Sequence, residues 1–148
     1  MIQRKQTLFL IIAIVLMVIC LSTQLAVLVG DSGIVSANVY NLWLTDGQGH
    51  HTLKSSPLFF MLLMTILLSV VNIFMFAKRK LQAKLCIIQM LLLVGWYLFL
   101  AVLPQYVGGQ IVLKWPVVLP AISIILTFMA RQGILADEKL VRSLDRIR

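Results

Sequence analysis

The chain has 148 residues, 61% of them hydrophobic, with a mean hydropathy of +1.00. Soluble domains are about 45–50% apolar, so this composition excludes an ordinary soluble domain and indicates one integral-membrane domain over residues 1–148. The formal net charge of +8 is also found in nucleic-acid-binding proteins, but only 12% of the residues are charged and most of the chain would lie in lipid. We therefore expect the lipid bilayer, and no nucleic acid, as a partner.

A basic start, which contains Arg4 and Lys5, precedes an uncharged run over residues 7–30. As a helix with a rise of 1.5 Å per residue this run would be about 36 Å long, enough to cross the hydrocarbon core with some tilt. A cleaved signal peptide is the alternative, but the apolar run is too long for one and no clear A-x-A cleavage site follows. We expect the first transmembrane helix here, with its amino end in the cytoplasm.

Residues 31–56 form the one long loop outside the predicted spans. Tyr40 and Trp43 stand among β-branched and small polar residues, a composition that favours short strands. The Asp46-Gly47 pair suits a tight turn. We expect this loop to form a short β-hairpin that caps the outer face of the helices.

Two further apolar runs, residues 57–76 and 85–103, flank a short basic loop at residues 77–84. The loop holds four cations in seven positions: Lys78, Arg79, Lys80 and Lys84. Such a loop stays on the cytoplasmic side, which makes both neighbouring helices extend outward from it. Since proline disfavours helix in the residue before it, Pro104 predicts that the third span ends at Leu103.

The fourth span is predicted over residues 116–130, and a polar tail follows over residues 131–148. On a helical wheel the tail separates an apolar side (Leu140, Val141, Leu144, Ile147) from a basic side (Lys139, Arg142, Arg146). This pattern predicts an amphipathic helix at the cytoplasmic surface, either on the lipid or docked under the bundle. A solvated tail is the alternative.

The predicted topology places eleven cations and three acids on the cytoplasmic side, against two cations and two acids outside. This asymmetry is the positive-inside pattern, and it predicts that both termini are cytoplasmic and face anionic lipid headgroups. The cytoplasmic residues that we expect to contact a partner or lipid are Arg4, Lys5, Lys78, Arg79, Lys80, Lys84, Arg142 and Arg146.

No ionisable residue falls well inside a predicted span, which argues against proton pumps, ion-coupled transporters and intramembrane hydrolases. Gln24, Asn72 and Gln89 are candidates for hydrogen bonds between helices, and Asn72 and Gln89 lie at depths that favour a pair. A substrate site built from them is the alternative. Cys20 and Cys86 lie at different depths, so we expect no disulfide.

The sequence predicts no catalytic, cofactor or metal site. His50 and His51 follow Asp46 in the outer loop, but no cysteine, further histidine or glutamate lies nearby to complete a metal site. There is no phosphate-binding glycine loop and no G-x-S-x-G motif. A lipid-modifying enzyme would lack a convincing nucleophile, so we expect a protein that is not an enzyme and needs no cofactor.

Three polar stretches carry a family resemblance: residues 1–6, residues 78–82 with Leu85-Cys86 after them, and residues 137–143 with 145–148. They are similar to a family of small four-pass inner-membrane proteins of Bacteroidota that is known only as a domain of unknown function. The resemblance covers essentially the whole chain and implies four helices with both ends in the cytoplasm. It implies no activity and no catalytic residues.

The predicted fold is an all-α membrane protein, a four-helix transmembrane bundle with a small outer loop and a cytoplasmic amphipathic C-terminal helix. We expect a non-enzymatic accessory or scaffold protein of the bacterial inner membrane. Its basic cytoplasmic face would bind a membrane-protein partner, a second copy of the chain, or anionic lipid. The alternative is a small oligomeric channel or transporter for a neutral or lipidic substrate, with a water-accessible polar line through Gln24, Asn72 and Gln89.

Overall fold

The computed structural model of the protein describes residues 3–30, 35–75 and 78–145. Its four α-helices are α1 (Gln3–Ser22), α2 (Ser56–Phe74), α3 (Arg79–Val107) and α4 (Val118–Asp145). Short 3-10 turns, Leu53–Ser55 and Trp115–Val117, precede α2 and α4. Each helix contains a stretch that is long and apolar enough to cross a membrane. The prediction of four apolar helices is confirmed.

The helices bury polar side chains among the apolar ones of the core, and their outward faces are apolar. In α2 the buried residues recur every three or four positions: Leu58, Leu62, Thr65, Ser69 and Asn72. On its other side Phe60, Met64, Leu67 and Phe74 are each more than half exposed. Helices in lipid show this distribution, because an apolar side chain loses nothing there by facing outward, whereas a polar one needs a partner inside.

A five-stranded antiparallel sheet caps one end of the bundle, which we call the sheet end. Its strands are β1 (Ala26–Val29), β2 (Val35–Val39), β3 (Leu44–Asp46), β4 (His51–Thr52) and β5 (Gln110–Leu113), in the order β4-β3-β2-β1-β5. The predicted hairpin is part of this sheet, which is larger because β5 comes from the connection between α3 and α4.

The predicted first span, residues 7–30, is too long. The helix α1 ends at Ser22, and residues 26–29 form β1 instead of further helical turns. Strand β1 pairs with β2 on one side and with β5 on the other, so its backbone groups are satisfied without a helix. The sequence does not reveal this boundary, because a short uncharged run has the same pattern whether it forms a buried strand or a segment of helix.

The helices α3 and α4 extend beyond the predicted spans 85–103 and 116–130. Because α3 begins at Arg79, most of the predicted loop 77–84 is helical. It also passes through Pro104, which lacks an amide donor but whose carbonyl still accepts from the backbone N–H of Gly108 at 2.8 Å, so the helix continues to Val107. The predicted tail, residues 131–148, is not a separate helix: α4 continues unbroken to Asp145.

At the end opposite the sheet, the first turn of α1, the start of α3 and the last turns of α4 meet, and we call residues 3–7, 78–84 and 131–145 the basic end. Ala83 and Cys86 of α3 pack there against Ile134 of α4. Both Gln6 and Arg79 contact Asp137, and α4 continues after it to Asp145. Those last eight residues add about 12 Å of helix beyond the contacts.

Candidate functional site

The basic end carries a group of exposed lysines. The side chains of five of them make no hydrogen bond or ion pair with any described residue: Lys5, Lys78, Lys80, Lys84 and Lys139. Arg4 and Arg142 lie on α1 and α4, but their side chains, and the whole of Arg146, lie outside the described part of the chain. The described lysines therefore form a cationic surface whose ammonium groups pair with no described side chain.

Arg79 differs from the lysines, because its side chain is half-buried and joins two helices. Its Nη1 donates to the backbone carbonyl of Asp137 at 3.3 Å. The carboxylate of Asp137 accepts from Nε2 of Gln6 at 2.8 Å. These two bonds attach the last turns of α4 to α3 and to α1, so Arg79 positions the surface as well as charging it.

Gly133 allows α1 to approach α4 closely beside this cluster. A Cβ at Gly133 would lie 2.9 Å from Cγ of Gln6, closer than side-chain carbons normally approach. Gln6 therefore lies over a position where only glycine leaves enough room, and its amide extends from there to Asp137.

The sheet end has little uncompensated charge in the described residues. The ammonium of Lys114 donates to Oε1 of Gln24 at 2.6 Å. The carboxylate of Asp46 accepts from the backbone N–H of Gly47 at 2.7 Å. Lys54 is exposed and makes no such bond. The difference in charge between the two ends, which the sequence predicts, is present in the structure.

Gln24 lies at the sheet end, two residues after α1 has ended. Its Nε2 donates to Oδ1 of Asn38 in β2 at 2.7 Å, and its Oε1 accepts from Lys114 beside β5. Gln24 thus connects the sheet to the segment that leads into α4, instead of joining two helices inside the bundle.

Asn72 and Gln89 are both fully buried, but they do not pair with each other. Nδ2 of Asn72 donates to Sγ of Cys86 at 3.1 Å, and the backbone carbonyl of Asn72 accepts from Nε2 of Gln82 at 3.1 Å. Oδ1 of Asn72 and both amide atoms of Gln89 have no partner among the described residues. The contact between α2 and α3 therefore uses Gln82 and Cys86, which lie two turns and one turn before Gln89.

One family matches residues 2–147, which is nearly the whole chain. The protein belongs to the family described as domain of unknown function DUF4293. The matched region includes all four helices, the sheet and the basic end, so both ends of this DUF4293 protein belong to a single family domain. Among curated proteins, none matches the chain.

The sequence does not predict two polar contacts of this DUF4293 protein. Asp137, which the sequence places on an exposed tail, is only 8% exposed and bonded to Gln6. At the sheet end Asn41 is fully buried: its Nδ2 donates to the carbonyl of Cys20 at 2.7 Å, and its Oδ1 accepts from Nε1 of Trp96 at 3.2 Å. The one feature of the sequence that points to the contact between Gln6 and Asp137 is Gly133, which lies one turn before Asp137 and gives Gln6 room to approach. No feature of the sequence points to the contacts of Asn41.

The described residues contain no group of three histidine, cysteine, aspartate or glutamate side chains placed to hold a metal ion. His51 lies 3.1 Å from the hydroxyl of Thr45, measured from its Nδ1. Cys20 and Cys86 are both buried free thiols.

Proposed function

We propose that this DUF4293 protein is a non-enzymatic accessory or scaffold protein of a bacterial inner membrane. In this proposal the four helices span the bilayer, both termini are cytoplasmic, and the basic end binds a protein partner or anionic lipid. The observation that supports it is the set of five exposed lysines at the basic end whose side chains bond to no described residue, against Lys54 alone among the described lysines at the sheet end.

The exposed faces of the helices support insertion with the lysines at the membrane surface. Lys5 precedes the exposed residues Leu8 and Ile12, three and seven positions further along the same side of α1. Lys84 precedes the exposed Ile88 and Leu91 on α3 in the same way. A lysine in this position can lay its apolar stem against lipid and extend its ammonium to the headgroups. Positive charge of this kind is retained on the cytoplasmic side.

The last turns of α4 add apolar surface beside the charge. Leu140 and Val141 are 53% and 41% exposed, and Lys139 directly precedes them. They lie past the contacts that Asp137 makes with α1 and α3. An apolar pair flanked by cations suits a partner with an acidic, apolar surface, or a bilayer surface of anionic lipid.

A comparison of co-purifying molecules tests this function. The protein is extracted from native membranes in a mild detergent, as wild type and as the triple variant Lys80→Gln, Lys84→Gln, Lys139→Gln, and bound proteins and lipids are quantified by mass spectrometry. Lys114→Gln, at the sheet end, is the matched control. Labelling of a cysteine introduced at the sheet end verifies that each variant keeps its orientation.

We expect wild type and the Lys114→Gln control to retain the same partner or anionic lipid, and the triple variant to lose at least nine-tenths of it. Binding should also weaken with added salt, because exposed charges are screened over about 8 Å at physiological ionic strength. A wild-type protein that is solitary and carries no anionic lipid would contradict the proposal.

The second candidate, an oligomeric channel or transporter for a neutral or lipidic substrate, is favoured by the unpartnered buried groups. Gln89 and Oδ1 of Asn72 lack partners among the described residues, as does the buried Nε of Arg131 on α4. An unsatisfied buried polar group costs about 1–3 kcal/mol, so water or substrate between α2, α3 and α4 would be stabilised there. Cysteines introduced at 72 and 89 test this function, and protection of both from a small water-soluble thiol reagent would exclude an aqueous path.

A further inference from the structure

A groove of about 280 Å³ opens at the sheet end between the start of α2 and the end of α3. It is lined by Lys54, Phe99, Leu103 and Tyr106. Lys54 belongs to the 3-10 turn that leads into α2. The other three residues are spaced by four and three positions along α3, so they share one side of that helix. Two different elements thus contribute a cation and an apolar wall to one groove.

The lining separates into a polar mouth and an apolar floor. Leu103 is 1% exposed and Phe99 is half-buried, whereas Tyr106 is 72% exposed and Lys54 is also exposed. The ammonium of Lys54 and the hydroxyl of Tyr106 make no hydrogen bond or ion pair with any described residue. Both groups can donate hydrogen bonds to one anionic oxygen group, such as a phosphate.

The groove lies where the apolar stretches of the helices end. Lys54 lies two residues before the start of α2, and Tyr106 is the last residue but one of α3. Trp115, which is 66% exposed, lies at the start of the turn before α4 at the same end. Exposed aromatic residues at helix ends mark the level of the lipid headgroups. Phe99 lies about 10 Å deeper along α3, at the level of the acyl chains.

A ligand for this groove therefore has an anionic head and an apolar chain. An anionic headgroup is favoured over a zwitterionic one, because the described residues that line the groove include a lysine and no carboxylate to receive a headgroup ammonium. The carboxylate of Asp46, at the same end, is already engaged by the N–H of Gly47.

We propose that this groove binds one anionic phospholipid molecule from the leaflet at the sheet end. Its phosphate accepts from Lys54 and Tyr106, and the upper part of an acyl chain packs on Phe99 and Leu103. The proposal rests on the membrane insertion proposed above, but not on binding at the basic end, which faces the opposite leaflet.

Native mass spectrometry of the full chain tests the site. The protein carries Lys80→Gln, Lys84→Gln and Lys139→Gln, so that the basic end contributes little lipid binding, and is titrated with phosphatidylglycerol or phosphatidylethanolamine. In this background we expect one phosphatidylglycerol to bind at least tenfold more tightly than phosphatidylethanolamine. Adding Lys54→Gln with Tyr106→Phe should weaken phosphatidylglycerol binding at least tenfold, whereas adding Lys114→Gln should leave it unchanged.

The single variant Tyr106→Phe keeps the ring and should weaken phosphatidylglycerol binding about threefold. It provides a second measurement of the site if the double variant folds poorly. Equal affinity for the two lipids, or phosphatidylglycerol binding that is unchanged in the double variant, would overturn the proposal. So would photo-crosslinking in native membranes in which a photoreactive amino acid at position 106 forms an adduct with a protein and none with lipid. Labelling of a cysteine introduced at the sheet end, carried out in intact membranes before extraction, reports membrane insertion separately, so failure of the groove and failure of the proposed topology are distinguishable.

Discussion

Removing the hydrogen bond between Gln6 and Asp137 tests how α4 is attached at the basic end. Its donor and acceptor atoms are 2.8 Å apart, and the two side chains are only 5% and 8% exposed. A hydrogen bond to a charged group contributes about 1.5–3 kcal/mol, and removing one partner leaves the other without its bond in a mostly buried position. Gln6→Ala and Asp137→Ala should therefore each lower the free energy of unfolding by about 2–3 kcal/mol.

A double-mutant cycle separates the bond from other effects of the two substitutions. If the bond is the common cause, the double variant loses less than the sum of the two single variants, with a coupling energy of about 1.5–3 kcal/mol. Unfolding in mixed micelles of a mild detergent and dodecyl sulfate, followed by tryptophan fluorescence, measures all four proteins. Buried Trp96 contributes to this signal from the opposite end of the bundle.

Ser143→Ala provides the matched control on the same helix. Its hydroxyl is exposed and donates only to the carbonyl of Leu140, one turn before it, so its removal should change stability by less than about 0.5 kcal/mol. Additive losses for Gln6→Ala and Asp137→Ala, with no coupling, would refute the reasoning.

Three glycine and glutamine substitutions test other contacts by the same unfolding assay. Gly133→Ala places a Cβ 2.9 Å from Cγ of Gln6 and should lose stability that is not additive with Gln6→Ala. Gly109→Ala should cost about 1–3 kcal/mol, because Gly109 has φ +99° and its Cβ would lie 2.8 Å from the carbonyl oxygen of Val29. Gln89→Leu should stabilise the protein by about 1–3 kcal/mol, because it removes a buried amide without a partner.

Each of these substitutions has an outcome that would count against its premise. Gly47→Ala is the control for Gly109→Ala, since Gly47 has open space around its Cβ position, and equal losses at both glycines would contradict the close approach of β5 to β1. A loss of stability in Gln89→Leu would mean that the amide has a partner such as internal water. That result would favour the channel or transporter over the scaffold.

The sequence predicts the four helices because long uncharged runs have few other stable forms in lipid, and because the cations collect between and after those runs. The helix ends were predicted less well. Residues 26–29 form a strand because β5, more than eighty residues later in the chain, supplies a second pairing edge. Such a distant pairing leaves no local pattern. Pro104 does not end α3, since its carbonyl still accepts from the N–H of Gly108 although the proline itself has no amide to donate.

At the basic end, charge predicts the location of the surface but not the roles of its residues. Arg79 and the lysines look alike in the sequence, yet Arg79 bonds to the carbonyl of Asp137 while the side chains of Lys78 and Lys80 are exposed and bond to no described residue. The burial of Asp137 depends on Gln6, which lies 131 positions away in the chain. Only the packing of α1 against α4 brings the two side chains together.

Site-specific photo-crosslinking in native membranes tests most directly whether the basic end is a binding face. A photoreactive amino acid replaces Leu140, which is 53% exposed at the basic end, or Trp43, which is 38% exposed at the sheet end. We expect a discrete protein or anionic-lipid adduct from position 140, lost when Lys80, Lys84 and Lys139 become glutamine, and no such charge-dependent adduct from position 43. The account would be contradicted if position 140 gave no adduct. It would also be contradicted if the adduct persisted unchanged after the three lysines were replaced by glutamine.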